Sequence, residues 1–488
     1  MVKKEELFEA IGGADDELLE RAEKGKKRRK IRWGWWGVAA ACFCIVLTSI
    51  FWKQEENGQG MKTVYAAAIA EASYPEMATY PNEMDFVDKR TGDFDDEGFR
   101  VVYDKWKADR DAQLNQPEGY DEHLDSFFAK TIPQFLSGAE GENKIYSPLN
   151  VYLALSMLAE LTDGESREQI LEAIGADSIE TLRSQVSSVW NANYCRDGAV
   201  TSLLANSLWL NQDIAFRQST MDILAKQYYA SSFQGEMGSD ALNQALQTWL
   251  NDQTGGLLKE QASGMQLDSS TILALASTIY FQAKWDWEFS EGNTKEDVFH
   301  APDKDVTCDF MHQNGERNYY WGEGFAAVPL RLEESGNMWL ILPDEGVSPE
   351  SLLSSEAVQQ LFLSQEKSEN QKHLIVNLAL PKFDVASDMD LISGLKKLGI
   401  ANVFDPDISD FSPMTSDTDK IFVSQAKHAA RVMIDEQGCT AAAYTVMAVS
   451  GAGMPPDDEV DFVLNRPFLF AITSEAGMPL FVGIVNQP

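Results

Sequence analysis

A hydrolase or transferase needs a nucleophile, a base within its reach and a group to steady developing charge, and this chain of 488 residues offers few such parts. It has five histidines, His123, His300, His312, His373 and His428, and none forms an HExxH pair. There is no CxxC pair, and no G-x-S-x-G turn that would lift a serine above a sheet. Gly322 to Ala327 fits a G-x-G-x-x-A phosphate loop, yet no hydrophobic strand leads into it, as a nucleotide site requires. Asp93, Asp95, Glu97, Gly98 and Asp104 stand at offsets like those of a calcium loop. The glutamate at the third site, the aspartate at the last and Arg100 at an apolar position all depart from that pattern, and a solvated acidic turn reads better. Asp405, Asp407 and Asp410 lack the glycine and terminal glutamate of a calcium site and read as a solvated loop. The residues therefore predict no catalytic machinery, no metal and no cofactor.

The stretch with most to say is Ile434 to Pro467, IDEQGCTAAAYTVMAVSGAGMPPDDEVDFVLNRP. It opens with β-compatible residues and Asp435-Glu436, passes through small residues from Gly438 to Ala443, and turns apolar before Gly451 to Gly453 and Pro455-Pro456. An apolar, β-prone segment belongs inside a protein, whereas glycine and proline turns belong in an exposed loop. One resolution is a segment that is exposed in one state and a buried strand in another. In the inserted state Cys439, Ala441, Ala443 and Thr445 would share one face, and all four are small.

These residues resemble the serpin family, the serine protease inhibitors. IDEQGCTAAAYTV is similar to the serpin hinge, MPPDDEVDFVLNRPFLFAI to the strand pair behind the loop, and MPLFVGIVNQP to the family's chain end. Further blocks agree in order: NKIYSPLNVYLALSMLAELTDGESREQILEAIG from Asn143, ANSLWL from Ala205, WLNDQTGGLL from Trp249 and IYFQAKWDWEF from Ile279. MWLILPDE from Met338, LPKFDVASDMDL from Leu380 and VSQAKHAARVMIDE from Val423 follow. The resemblance covers about Tyr120 to Pro488 and implies an α+β serpin fold with a large central mixed sheet, two further sheets, about eight to nine helices and an exposed reactive loop.

The resemblance also implies a mechanism in which the target protease supplies the nucleophile. The exposed loop is offered as substrate, an acyl-enzyme forms, and the cut loop enters the central sheet before deacylation, trapping the protease kinetically. Aligning Glu436 with the hinge glutamate and Pro455-Pro456 with the family's proline pair places the cut at Ala452–Gly453, 17 residues counting from Glu436 through Ala452. Gly451–Ala452 and Ser450–Gly451 stay open as neighbouring choices, as does a flexible connector that baits nothing. Alanine before the cut bond implies an elastase-like or subtilisin-like serine protease, with cysteine endopeptidases as a second class. Glu436, Gly438, Cys439, Thr440, Ala441, Ala442 and Ala443 form the implied hinge. Cys439 stands where a small Thr, Ser or Val is usual and Tyr444 where Ala is common. His428 matches the histidine of the shutter, where the sheet opens. Its usual serine and asparagine partners are replaced by Asn150 and Ser277, an exchanged pair whose groups could still reach it. Trp285 matches the tryptophan at the breach, the top of the sheet, and Lys382 and Glu436 a salt-bridged pair there.

The elements that must position these residues follow a helical opening around Leu124, Phe127, Phe128, Ile132 and Phe135. A second helix follows Ser147-Pro148, helices then alternate with β-rich segments such as TSLLANSLWL and TILALASTIYF, and the end is nearly all strand. Ahead of them the chain reads as a charged tail over 1–32, an uncharged span over 33–52 and a spacer over 53–119 that partly docks, before the domain at 120–488. Trp33 to Trp52 has spanning length with tryptophans at both ends, and the basic run KGKKRRKIR before it should stay in the cytoplasm. The expectation is a single-pass anchor in the cell membrane with an extracellular domain. A cleaved signal peptide is the alternative, though no small-residue cleavage site directly follows the apolar core. Formal charge is −36, and the acidic excess lies wholly after the span. That argues against nucleic acid as a partner and for a soluble monomer. Cys42 and Cys44 sit within the span, and Cys195, Cys308 and Cys439 are scattered, so no disulfide framework is predicted. A non-inhibitory serpin fold acting as a binding or chaperone-like module is the competing function; the small-residue hinge speaks against it.

Overall fold

The computed structural model describes residues 67–363, 370–418, 420–439 and 458–488, all within the unit Val64–Pro488. The span Trp33 to Trp52, the hinge residues Thr440 to Ala443 and the bond Ala452–Gly453 lie outside the described residues. Among those described, no helix is long and apolar enough to cross a membrane.

The first of two sheets has eight strands. Its path is Ala67–Ala70, Ala230–Gly235, Thr201–Asn211, Leu273–Lys284, Gly438–Cys439, Lys427–Ile434 and Phe383–Asp390, with Cys195–Arg196 paired to Thr201–Asn211. Thr201–Asn211 runs parallel to Ala230–Gly235 and antiparallel to Leu273–Lys284, so the sheet is mixed. The run TSLLANSLWLN is nearly all buried because both of its faces are covered. Leu204, Leu208 and Leu210 pack into the main core. Ala205 and Trp209 point the other way, into a smaller cluster with Leu242, Leu246 and Trp249 of the helix Asp240–Gln253.

The second sheet has nine strands. They follow the order Glu459–Val463, Gln371–Pro381, Asp305–Gly322, Phe325–Arg331, Asn337–Pro343, Phe468–Thr473, Pro479–Val485 and Lys144–Tyr146, with Lys295–His300 beside Asp305–Gly322. The two further sheets expected from the sequence are thus one continuous ladder. The 18-residue strand Asp305–Gly322 joins them, pairing in turn with Lys295–His300, Gln371–Pro381 and Phe325–Arg331.

Eleven α-helices are present among the described residues, against eight to nine expected. Ten of them lie within 120–488, three as short pieces, Lys259–Ser263, Pro349–Leu352 and Ile392–Lys397, and the eleventh is the helix Asp96–Leu114 ahead of the domain. Asp95 caps that last helix, its carboxylate accepting the Gly98 N–H at 3.0 Å, while Asp96 and Glu97 favour the positive end of its dipole. The residues spaced like a calcium loop are therefore a capped helix start. Among the described residues no group of three or more His, Cys, Asp or Glu is placed to hold a metal. In the helix Pro148–Leu161 the Ser147 hydroxyl accepts the Asn150 N–H and Pro148 occupies the first turn. Thirteen of its 14 residues are buried, which places it under the central sheet with Asn150 facing the strand Leu273–Lys284.

Candidate functional site

At the end of the strand Lys427–Ile434 the chain reverses over Asp435, Glu436 and Gln437. The Asp435 carboxylate accepts the N–H of Gln437 at 2.9 Å and of Gly438 at 3.2 Å, a side-chain turn that aspartate forms readily. Gly438 and Cys439 then run back antiparallel, Cys439 opposite both Ile434 and Ala283, and Gly438 opposite Lys284. Among the described residues this two-residue strand is the ladder that joins Leu273–Lys284 to Lys427–Ile434. At that level the two long strands are held two strand spacings apart, roughly 9.6 Å. The first hinge residues are therefore already seated in the sheet.

Only glycine fits at 438. A Cβ there would lie 2.3 Å from the Ala283 carbonyl oxygen and 2.8 Å from the Lys284 Cα, both backbone atoms that cannot give way. Cys439 is buried, and burial, with Asp435 nearby, pushes its thiol well above the usual range. It stays neutral and packs as a small apolar group, so its departure from the usual Thr, Ser or Val leaves the seat intact.

The turn is pinned from the side by Trp285. Its indole N–H donates to the Asp435 carbonyl at 2.9 Å, and its backbone N–H to the Gln437 carbonyl at 3.0 Å. The Phe289 N–H donates to the Glu436 carbonyl at 3.0 Å, and the two rings meet edge to face at 6.0 Å. The Glu436 carboxylate receives the Lys382 ammonium at 3.0 Å and the Thr294 hydroxyl at 2.8 Å. Burial pushes the Glu436 carboxyl upward, but hydrogen bonds from Lys382 and Thr294 outweigh it and hold the group below its ordinary value. The hydrogen bond to Glu436 raises Lys382 in turn. Trp285, Lys382 and Glu436 thus come together, with Thr294, Asp435 and Phe289 added. The Asx-turn pattern DEQG could have shown Asp435; nothing in the sequence marks Thr294.

Deeper in the sheet, His428 is 4% exposed and burial lowers its pKa to about 4, so the neutral imidazole prevails at pH 7. Its Nε2 accepts the Ser147 N–H at 3.0 Å, and the Tyr146 ring meets it edge-on at 5.4 Å. The expected partners lie elsewhere: Asn150 donates through Nδ2 to the Ser277 carbonyl at 3.0 Å, and Ser277 Oγ has no hydrogen-bond partner. Since Ser147 opens the helix carrying Asn150, its free first-turn N–H reaches the imidazole first. Asn206, opposite Ser277 in the ladder, and Thr278 also carry buried side-chain oxygens without partners. Each such atom costs about 1–3 kcal/mol, and three together mark these two strands as incompletely satisfied.

The chain returns to described structure at the strand Glu459–Val463, which lies parallel to Gln371–Pro381 with Val460 opposite Val376 and Phe462 opposite Leu378. The two ends of the intervening segment thus belong to different sheets, Gly438–Cys439 to the first and Glu459–Val463 to the second. Comparison with known proteins gives the family. The model for "Serpin (serine protease inhibitor)" matches residues 122–488, and the chain belongs to the serpin family. It is 29% identical to plasminogen activator inhibitor 1 of Sus scrofa over 379 residues, 74% of this chain and 91% of that protein. It is 27% identical to Serpin-ZX of Arabidopsis thaliana over 365 residues, 72% of this chain and 93% of that protein. Among solved structures, the thermophilic serpin tengpin in its native state superposes with a TM-score of 0.67 at 26% identity, covering 77% of this chain and 95% of that one. Arabidopsis AtSerpin1 in its native stressed conformation gives 0.66 at 25%, covering 76% and 100%. The protein is a protease inhibitor by family, not an enzyme.

Proposed function

We propose that the protein is a suicide-substrate inhibitor of serine endopeptidases that prefer a small residue before the cut, cleaved at Ala452–Gly453. The carrying observation is the seated hinge: Cys439 already pairs on both sides and Gly438 on one, so the residues that follow have a strand position prepared for them. Cutting the loop frees its upstream part to continue down the slot, adding ladder hydrogen bonds and apolar burial between Leu273–Lys284, which carries the unpartnered Ser277 and Thr278 hydroxyls, and Lys427–Ile434. The acyl-enzyme travels with it and is deformed before water can release it. The test is incubation with elastase and with subtilisin. An SDS-stable complex and a fragment beginning at Gly453 by mass spectrometry are expected. Clean cleavage without complex would instead favour a binding module. Replacing Ala441 or Ala443 by Arg, on the face that must enter the sheet, should turn the inhibitor into a substrate.

The uncharged run Trp33 to Trp52 after a basic segment supports a single-pass anchor, with the inhibitor domain as a monomer on the outer face. Protease shaving of intact cells should remove the domain and leave the N-terminus protected. Degradation of both ends, or of neither, would count against that orientation.

A further inference from the structure

The family match begins at residue 122, yet the described chain before it is built into the domain at three places. Ala67–Ala70 adds an antiparallel strand to the edge of the central sheet, Ala68 opposite Phe233 and Ala70 opposite Ser232. Tyr74 stacks on Trp190 at 5.5 Å and on Tyr194 at 5.6 Å, in a column that continues to Tyr229. The Trp190 indole itself donates to the Leu204 carbonyl of the strand Thr201–Asn211. Finally, the helix Asp96–Leu114 buries two residues, Trp106 and Arg110.

Arg110 is 2% exposed and touches three carboxylates: Asp197 at 3.3 Å, Glu334 at 3.1 Å and Glu475 at 2.6 Å. Lys107 adds contacts to Glu334 at 3.2 Å and Glu475 at 3.3 Å, and the Tyr103 hydroxyl binds Glu334. A planar guanidinium can serve several carboxylates at once, which an ammonium does less well. Its partners belong to different parts. Asp197 follows Cys195–Arg196, which pairs with Thr201–Asn211, so it moves with the first half of the central sheet. Glu475 sits on the turn between Phe468–Thr473 and Pro479–Val485. That hairpin packs against the second half, where Phe383 meets Phe468 at 5.8 Å and Phe470 at 5.3 Å. Glu334 lies on a turn bonded to both. Glu333 donates to the Lys284 carbonyl at the top of the slot, and Gly336 has no room for a Cβ against the Thr473 and Ser474 carbonyls.

Entry of more bait residues moves the first half of the sheet relative to the second. We propose that residues 67–114 are a built-in restraint on that movement, with Arg110 as the pin across the boundary, and that they set how long the uncut inhibitor keeps its active form. This rests on the loop-insertion reading above. A native form that can gain stability by inserting its own loop needs a barrier, and side chains that cross the sliding boundary raise it.

The test uses the full chain with Arg110→Lys, Arg110→Ala and Tyr74→Ala. The readouts are the half-life of protease-binding activity at elevated temperature, native gels for polymer, and the melting temperature of the intact and the loop-cleaved forms. The restraint predicts at least a tenfold shorter half-life for Arg110→Ala. Arg110→Lys, which keeps the charge without the fork, and Tyr74→Ala, which leaves the ion cluster whole, should fall between it and the unaltered chain. It also predicts a melting temperature of the cleaved form unchanged to within a few degrees, since its sheet has already opened. A role in general packing predicts equal losses in intact and cleaved forms and an unaltered half-life relative to stability, and that outcome overturns the proposal. If cleavage of the unaltered chain fails to raise its melting temperature, the insertion reading itself fails, which the cleaved control reports separately.

Discussion

The top and the middle of the slot hold the same two strands by opposite means. At the top, a buried carboxylate, that of Glu436, meets a partly exposed ammonium and a threonine hydroxyl, and the tryptophan beside them donates to main-chain carbonyls. In the middle, a buried neutral imidazole accepts one backbone N–H, and an asparagine reaches one backbone carbonyl. Charge is affordable at the top because water remains close. In the interior it would have to be desolvated, and a neutral acceptor does the work instead. The two levels of the slot are thus held by different chemistry: ion pairing and turn geometry at the top, a neutral buried imidazole in the middle.

The largest disruption expected of that division is Gly438→Val. A side chain pressed against the Ala283 carbonyl should unseat the hinge at a cost of about 3 kcal/mol. Hydrogen exchange at Cys439 and Ala283 should speed up by two orders of magnitude, while exchange around His428 stays slow. Glu436→Lys comes next, placing a second ammonium beside Lys382 and losing bonds worth roughly 2–3 kcal/mol. Polymer should then appear on mild heating, and an unchanged monomer fraction would remove the top of the slot from the argument.

Acid should act on the middle first, since the Glu436 pair, its carboxyl held below its ordinary value, gives way only once pH falls into the carboxylate range. The His428 value of about 4 in the fold lies below the 6.5 of a free imidazole, so the unfolded chain binds more protons between those limits. Stability is fully present above pH 6.5 and declines as pH falls toward 4, by about 2 kcal/mol at pH 5. His428→Gln should flatten the melting-temperature profile across that window, and a slope that survives the substitution would point to another group. Smallest is Trp285→Phe, which deletes one indole hydrogen bond to Asp435 at about 1 kcal/mol. It should shift heat-induced polymerisation by a few degrees and leave the acid response untouched.

How much of this could be read in the sequence depended on which physical signal each part leaves there. At the hinge, Gly438 was legible because it answers a steric demand that other residues do not meet. The ion pair at the top was carried by family resemblance, and its geometry agrees. The partner of His428 was not legible: two side chains looked exchanged, but a helix-start N–H took the place that either would fill. The helix Asp96–Leu114 escaped for a different reason. It buries only Trp106 and Arg110, so it presents no apolar stripe, and Val101, Val102 and Gly98 dilute its propensity. Sheet continuity through Asp305–Gly322 leaves no mark at all, since one long alternating strand looks like two short ones.

The parallel strand Glu459–Val463 acts as a mooring. Five residues of it lie against Ile375 to Ala379, so the chain on the far side of the proposed cut bond is held in the second sheet while Gly438 and Cys439 are held in the first. Severing the chain at the proposed bond would leave this strand on its own sheet and release the other end. On the proposed mechanism the cut would also be the unlocking step, and an uncut chain would first have to peel this strand away from Ile375 to Ala379 to go the same distance.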